Sequence, residues 1–232
     1  MKKQLLMGTL AAATLAASMT PALADDGLSA SAGVASMYLW RGVDLGDGSA
    51  AVSGDIHYNM AGAYAGVWGS SGDSSWGSEY DLYAGYGFEV GGVGIDLSVW
   101  NYNYSDGGPD VSKGEQDDTF GDLSDAILAV SFAGVTAKYY DAIAGGNGEY
   151  YTLSYSMNGF TGLVGHADQA GYKNAKNTTN PENYTHVDLS YAYNDNLSFT
   201  VSKIVTPADD ANGDTGSDND MNFVVSYNLP IK

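Results

Sequence analysis

The chain has no cysteine, five prolines among 232 residues, and only nine Lys and Arg against 28 Asp and Glu. Without thiols it holds together with neither disulfides nor thiolate metal sites. A formal net charge of −19 argues against nucleic-acid binding, which needs basic surface to displace counterions. It argues equally against attachment to anionic lipid through a basic patch. Beyond residue 24 no apolar run approaches the roughly eighteen to twenty residues of a spanning helix.

What is present begins with an export signal. Lys2 and Lys3 give a positive start, Leu5 to Ala17 an apolar run, and Ala22-Leu23-Ala24 a small-x-small cleavage site. The run is short for about 30 Å of hydrocarbon, and the small-residue site follows it at once. The sequence therefore predicts a signal peptide over 1–24 and one mature domain over 25–232.

After the leader the chain settles into a rhythm. About twelve segments of roughly ten residues alternate apolar and polar. Tight joints fall at Ala61-Gly62, Gly91-Gly92, Ala133-Gly134, Asn158-Gly159 and Asn194-Asp195-Asn196, alternating with loops that are longest near 104–124, 168–183 and 205–221. A soluble sandwich has no reason to collect its long loops at one end. The pattern predicts an all-β, up-and-down antiparallel transmembrane β-barrel of about twelve strands, with both termini periplasmic.

Parity along each segment assigns the two faces. In 79–89, Tyr80, Leu82, Ala84, Tyr86 and Phe88 share a lipid-facing side, whereas Glu79, Asp81 and Tyr83 face the interior. The same division sets Ile56 and Tyr58 against Asp55 and His57, and Val187 and Leu189 against His186 and Asp188. Two segments carry a weaker pattern. In 28–42 Tyr38 and Trp40 are expected on the lipid face opposite Arg41. In 161–168 Leu163, Gly165 and Ala167 are expected outside, with Val164, His166 and Asp168 inside. Aromatic residues fall near strand ends on the outer parity, where amphipathic rings prefer the headgroup level.

Three stretches resemble a known family. Tyr38-Leu39-Trp40-Arg41-Gly42, Gly66-Val67-Trp68 with Ser70, and Glu79-Tyr80-Asp81-Leu82-Tyr83-Ala84-Gly85-Tyr86 are similar to the N-terminal signature of the TorF-type outer-membrane porins of proteobacteria. The resemblance implies an outer-membrane porin of a Gram-negative cell and names no solute.

The interior carries the chemistry. About twelve strands give a bore between the filled eight-stranded and the open sixteen-stranded kinds. The inner parity holds Asp55, Glu79, Asp81, Asp96 and Asp188, with His57 and His186, against Arg41 and Lys138. Carboxylate rings favour cations, so ion transport with cation preference is expected. Arg41, Trp68, Glu79 and Asp81 are candidates for a constriction; the alternative is a structural ion pair. The histidines match no metal-ligand spacing, and the run Asp210, Asn212, Asp214 lacks the later ligands of a calcium loop. No metal and no cofactor is expected; the partners are outer-membrane lipid and small solutes or cations. The competing classes are an adhesive or structural barrel, a lipase-like barrel enzyme, and a soluble periplasmic β-sandwich. No G-x-S-x-G elbow supports an enzyme.

Overall fold

The computed structural model describes residues 26–105, 121, 123–145, 148–168, 183–206 and 220–231. The leader expected over 1–24, most of the three long loops and the Asp210–Asp214 run lie outside these residues.

The chain forms β1 (Gly27–Ala35), a small hairpin of β2 (Leu39–Trp40) and β3 (Val43–Asp44), then β4 (Ala51–Met60), β5 (Ala63–Asp73), β6 (Gly77–Val90) and β7 (Val93–Tyr104). It continues with β8 (Ser124–Phe132), β9 (Val135–Ala144), β10 (Glu149–Met157), β11 (Phe160–Asp168), β12 (Tyr184–Ala192), β13 (Leu197–Thr206) and β14 (Met221–Ile231). Strand β1 and strands β4 to β14 make one closed barrel of twelve, each antiparallel to its neighbours. The seam joins β1 to β14, from Ala30 opposite Ile231 to Ala35 opposite Ser226. Closure leaves no strand edge with unpaired backbone groups, the condition for crossing hydrocarbon.

The tight joints set the register. Ala61-Gly62, Ala133-Gly134 and Asn158-Gly159 each place both residues at positive φ, as do Gly91 and Gly92. That geometry matches the right-handed twist of the flanking strands. At the fifth joint the Asn194 side chain accepts from the backbone amides of Asn196 and Leu197, at 2.9 and 2.8 Å. All five turns lie on one rim, and β1 starts and β14 ends on that rim.

The walls have opposite polarity. Outside, Leu28, Ile56, Leu97, Leu153 and Leu189 are each more than half exposed. Inside, Asp55, Glu79, Asp81, Asp96, Asp125 and Asp188 are buried. Near the tight-turn rim Phe160 stacks on Tyr191 on the outer face, with ring centroids 4.6 Å apart.

Two segments depart from the expected parity. Strand β1 ends at Ala35, and residues 36–50 turn into the lumen, so Tyr38 is buried and Trp40 packs against the interior cluster, not lipid. The cause is local. Arg41 and Gly42 both take positive φ, at 50° and 84°, and close a two-residue turn between Trp40 and Val43. In β11 the faces are reversed: Gly165 and Ala167 are buried in the lumen beside Leu163, while Val164 and His166 are exposed and Asp168 shares their outer parity. A side chain at Gly165 would collide with His186 and Tyr150, so the bulk on β10 and β12 demands a glycine facing inward there.

Candidate functional site

The inward hairpin converts the lumen into a narrow chamber, and its mounting is polar. At its start the Tyr38 hydroxyl donates to Glu79, which also accepts from Tyr104 at 2.8 Å. Burial, reinforced by the Glu79 carboxyl, holds the Tyr38 phenol above its ordinary pKa, so it remains a donor. At its tip the Arg41 guanidinium meets Asp125 at 2.6 Å, and Tyr102 donates to the same carboxylate at 3.1 Å. The guanidinium lies over the rings of Trp40, Tyr150 and Tyr140, at 4.2, 4.6 and 5.0 Å. Burial disfavours its charge, and Asp125 together with the phenols of Tyr102, Tyr150 and Tyr140 more than offsets this, leaving the pKa above its ordinary value.

The hairpin is also held through its backbone. The Tyr184 hydroxyl donates to the Arg41 carbonyl at 3.0 Å. The amide of Leu45 donates to the Tyr38 carbonyl at 2.8 Å, and Ser74 donates to the Leu45 carbonyl from the next loop. Gly42 lies against the ring of His186; a Cβ there would sit 2.6 Å from Cγ. Only glycine combines that approach with the positive φ.

Behind the hairpin the inner wall is a set of acid–phenol and acid–imidazole pairs. Asp55 binds His57 at 2.7 Å and accepts from Tyr83 at 2.6 Å. Tyr64 donates to Asp96, and His186 joins Asp188 at 3.0 Å to Tyr150 at 2.7 Å. Tyr83 stacks on Trp100, with centroids 4.2 Å apart. Between hairpin and wall lies a chamber bounded by Trp68, Asp81, Asp96 and Lys138, among others. About 50 Å³ of it admits the centre of a water molecule, room for on the order of four waters.

Every candidate pore residue faces this interior: Arg41 from the hairpin, Asp55 and His57 from β4, Trp68 from β5, Glu79 and Asp81 from β6, Asp96 from β7, Lys138 from β9, and His186 and Asp188 from β12. The grouping differs from the one expected. Arg41 takes Asp125 as its carboxylate partner, and Glu79 is reached by Tyr38 instead. Trp68 packs near Tyr38, centroids 6.5 Å apart. The phenols of Tyr38, Tyr102, Tyr104 and Tyr184 hold the hairpin and its acids and were not among the expected site residues. For Tyr102 and Tyr104 the signal was inner parity combined with an acid on the neighbouring strand; Tyr38, outside the barrel strands, and Tyr184, whose partner is a backbone carbonyl, carried none. The third histidine, His166, points outward and pairs with Thr185 at 2.9 Å. Among the described residues no group of three or more His, Asp or Glu is placed to hold a metal ion.

Closure, strand count and wall polarity define a β-barrel of the outer-membrane type with a hairpin folded into its lumen. The chain belongs to Gcw_chp, a bacterial protein family of unknown function, which matches over residues 21–228. No curated protein matches the sequence. Solved structures of similar shape include one from work on the in-meso crystallization of membrane proteins, with a TM-score of 0.58 and 12% identity over 88% of this chain and 84% of that one. Others are a KdgM porin, at TM-score 0.47 and 9% identity over 88% of this chain and 98% of that one, and Pseudomonas aeruginosa OprD, at 0.44 and 16% over 90% and 68%.

Proposed function

We propose that the protein is an outer-membrane porin: a narrow passive channel for ions or small hydrophilic solutes, with cation preference set by its acidic lumen. The observation that carries this reading is the inverted polarity of the wall. More than half of the surface of Leu97, Leu153 and Leu189 is exposed outside, while Asp55, Asp81 and Asp188 are buried inside. A water-soluble sheet protein has the reverse arrangement. Both ends of the barrel lie on the short-turn rim, which this reading assigns to the periplasm after removal of 1–24. Transport is diffusive and needs no cofactor. The lipase alternative has one outward histidine, His166, and its partner is Thr185.

The test is purification in detergent followed by planar-bilayer recording under a salt gradient. A folded barrel migrates differently on gels before and after heating, and the reversal potential shows cation preference. Anion preference refutes the charge argument. A heat-shifting barrel that carries no current points to the structural or adhesive role. Recovery of the protein in the soluble fraction after lysis ends the reading altogether.

A further inference from the structure

The lumenal carboxylates are matched almost completely. Asp55 has His57 and Tyr83, Asp96 has Tyr64, Asp125 has Arg41 and Tyr102, and Asp188 has His186. Asp81 is the exception. It is 3% exposed, and its Oδ1 is the one buried carboxylate oxygen among the described residues with no hydrogen-bond partner. It borders the chamber, two residues from Glu79 on the same face of β6, and its carboxyl group hydrogen-bonds that of Glu79 while Oδ1 stays unmatched. Among the described residues no ion pair includes either. Arg41 is engaged by Asp125, and Lys138, the cation on the chamber wall, acts on Asp96. Such a pair shares a proton and keeps one negative charge, which no cation among the described residues matches.

Much of the remaining chamber surface is aromatic, with Ser98, Ile127, Ala129 and the Asp96–Lys138 pair filling the rest. Tyr38, Trp40, Trp68, Trp100 and Tyr102 all line it. Ring faces attract cations and accept short alkyl groups. An unmatched acceptor oxygen calls for an N–H donor, the adjoining acid calls for positive charge, and the rings call for a small apolar tail. Room for on the order of four waters limits the ligand to about three to five non-hydrogen atoms.

We propose that the chamber is a binding subsite for a small primary alkylammonium ion, its N–H group on Asp81 Oδ1 and its alkyl tail against the tryptophans. The assignment rests on the porin reading for its place in transport; binding itself does not require conductance.

Trp40, Trp68 and Trp100, three of the four tryptophans, border the chamber, so intrinsic emission reports on it. The protein in detergent is titrated with ethylammonium chloride against sodium chloride at equal ionic strength. A saturable emission change is expected for ethylammonium, a weaker one for tetramethylammonium, which has no N–H, and none beyond background for sodium. Asp81→Asn weakens ethylammonium binding at least about tenfold, the loss expected for a charge-assisted hydrogen bond. An equal response to sodium, or unchanged affinity in Asp81→Asn, overturns the proposal. Should that variant fail to fold, the wild type decides: ethylammonium raises its melting temperature above the sodium control, and the absence of a rise overturns the subsite. Conductance is recorded in parallel. Binding without current sinks the porin reading and keeps the subsite; current without binding does the reverse.

Discussion

The two sides of the lumen are built from different chemistry. The wall from β4 to β8 carries Asp55, Glu79, Asp81, Asp96 and Asp125 with Tyr64, Tyr83, Trp68 and Trp100. The facing wall, β10 with β12 to β14, carries one buried acid, Asp188, already bound to His186, and is otherwise rich in Ser and Thr: Ser154, Ser190, Ser198, Thr200, Ser202 and Ser226. Ser190 pairs with Thr200 at 3.0 Å, and the buried hydroxyls of Ser202 and Ser226 go without a partner among the described residues, a smaller cost for a neutral group than for a charge. The acidic wall recruits its complement from residues 36–50, which bring Tyr38 to Glu79 and Arg41 to Asp125. The hairpin's phenol and guanidinium therefore answer the acids of one wall. The other wall receives it through the close seat of Gly42 on His186, the Tyr184 hydroxyl, and the Tyr150 ring beneath Arg41.

Replacing residues 39–44 with a short Gly-Ser link gives the largest effect expected. Without the inserted rings the bore widens, and single-channel conductance rises severalfold while the barrel keeps its heat-shifted mobility. Unchanged conductance would show that the hairpin does not limit the path.

A matched pair of substitutions sharpens the contrast. Asp125→Asn leaves Arg41 without its anion, which costs about 1–3 kcal/mol for a charged hydrogen bond in a partly wet site. It also removes a negative charge from the path, so the reversal potential moves toward anions. Ser190→Ala on the wall rich in Ser and Thr costs about 1 kcal/mol or less and leaves selectivity where it was. Equal shifts from the two variants would erase the distinction between the walls. Chemical denaturation and salt-gradient recordings measure both quantities.

The smallest effect belongs to Tyr38→Phe, which removes one hydrogen bond worth about 1 kcal/mol. Its signature is in pH. The docked phenol has a raised pKa, so below pH about 10, the ordinary tyrosine value, docked and released forms are both protonated and the phenol itself adds no pH dependence to docking. Above about 10 the released phenol ionises first, and docking weakens as pH rises. Wild-type conductance climbs through that alkaline range, and Tyr38→Phe lacks the Tyr38 component. Identical alkaline profiles would remove Tyr38 from the latch.

Much of this was legible in the chain itself. Period-two alternation marked β4 to β10 and β12 to β14 with the right faces, because lipid outside and acid inside leave every second position constrained. The lumenal placement of Asp55, Glu79, Asp96 and Asp188 followed from that parity alone. Strand β11 misled because its inward positions are small for a steric reason: Gly165 yields space to Tyr150 and His186 on neighbouring strands. Small residues carry no hydropathy with which to vote. The hairpin was hidden differently. Tyr38 and Trp40 look like an aromatic strand end, and only the Arg41-Gly42 turn, between two short apolar runs, signals the reversal. Asp125 could be placed inside by parity, yet pairing it with Arg41 needs the folded path of residues 36–50.

The junction of β1 with β14 has a consequence for biogenesis. A ring of strands is fastened once around its circumference, and the fastening waits for the last segment to arrive. Until Tyr227 finds Val34, two raw margins stand open in an environment with no water to quench them. Shortening β14 should therefore yield no slightly weaker cylinder but none at all.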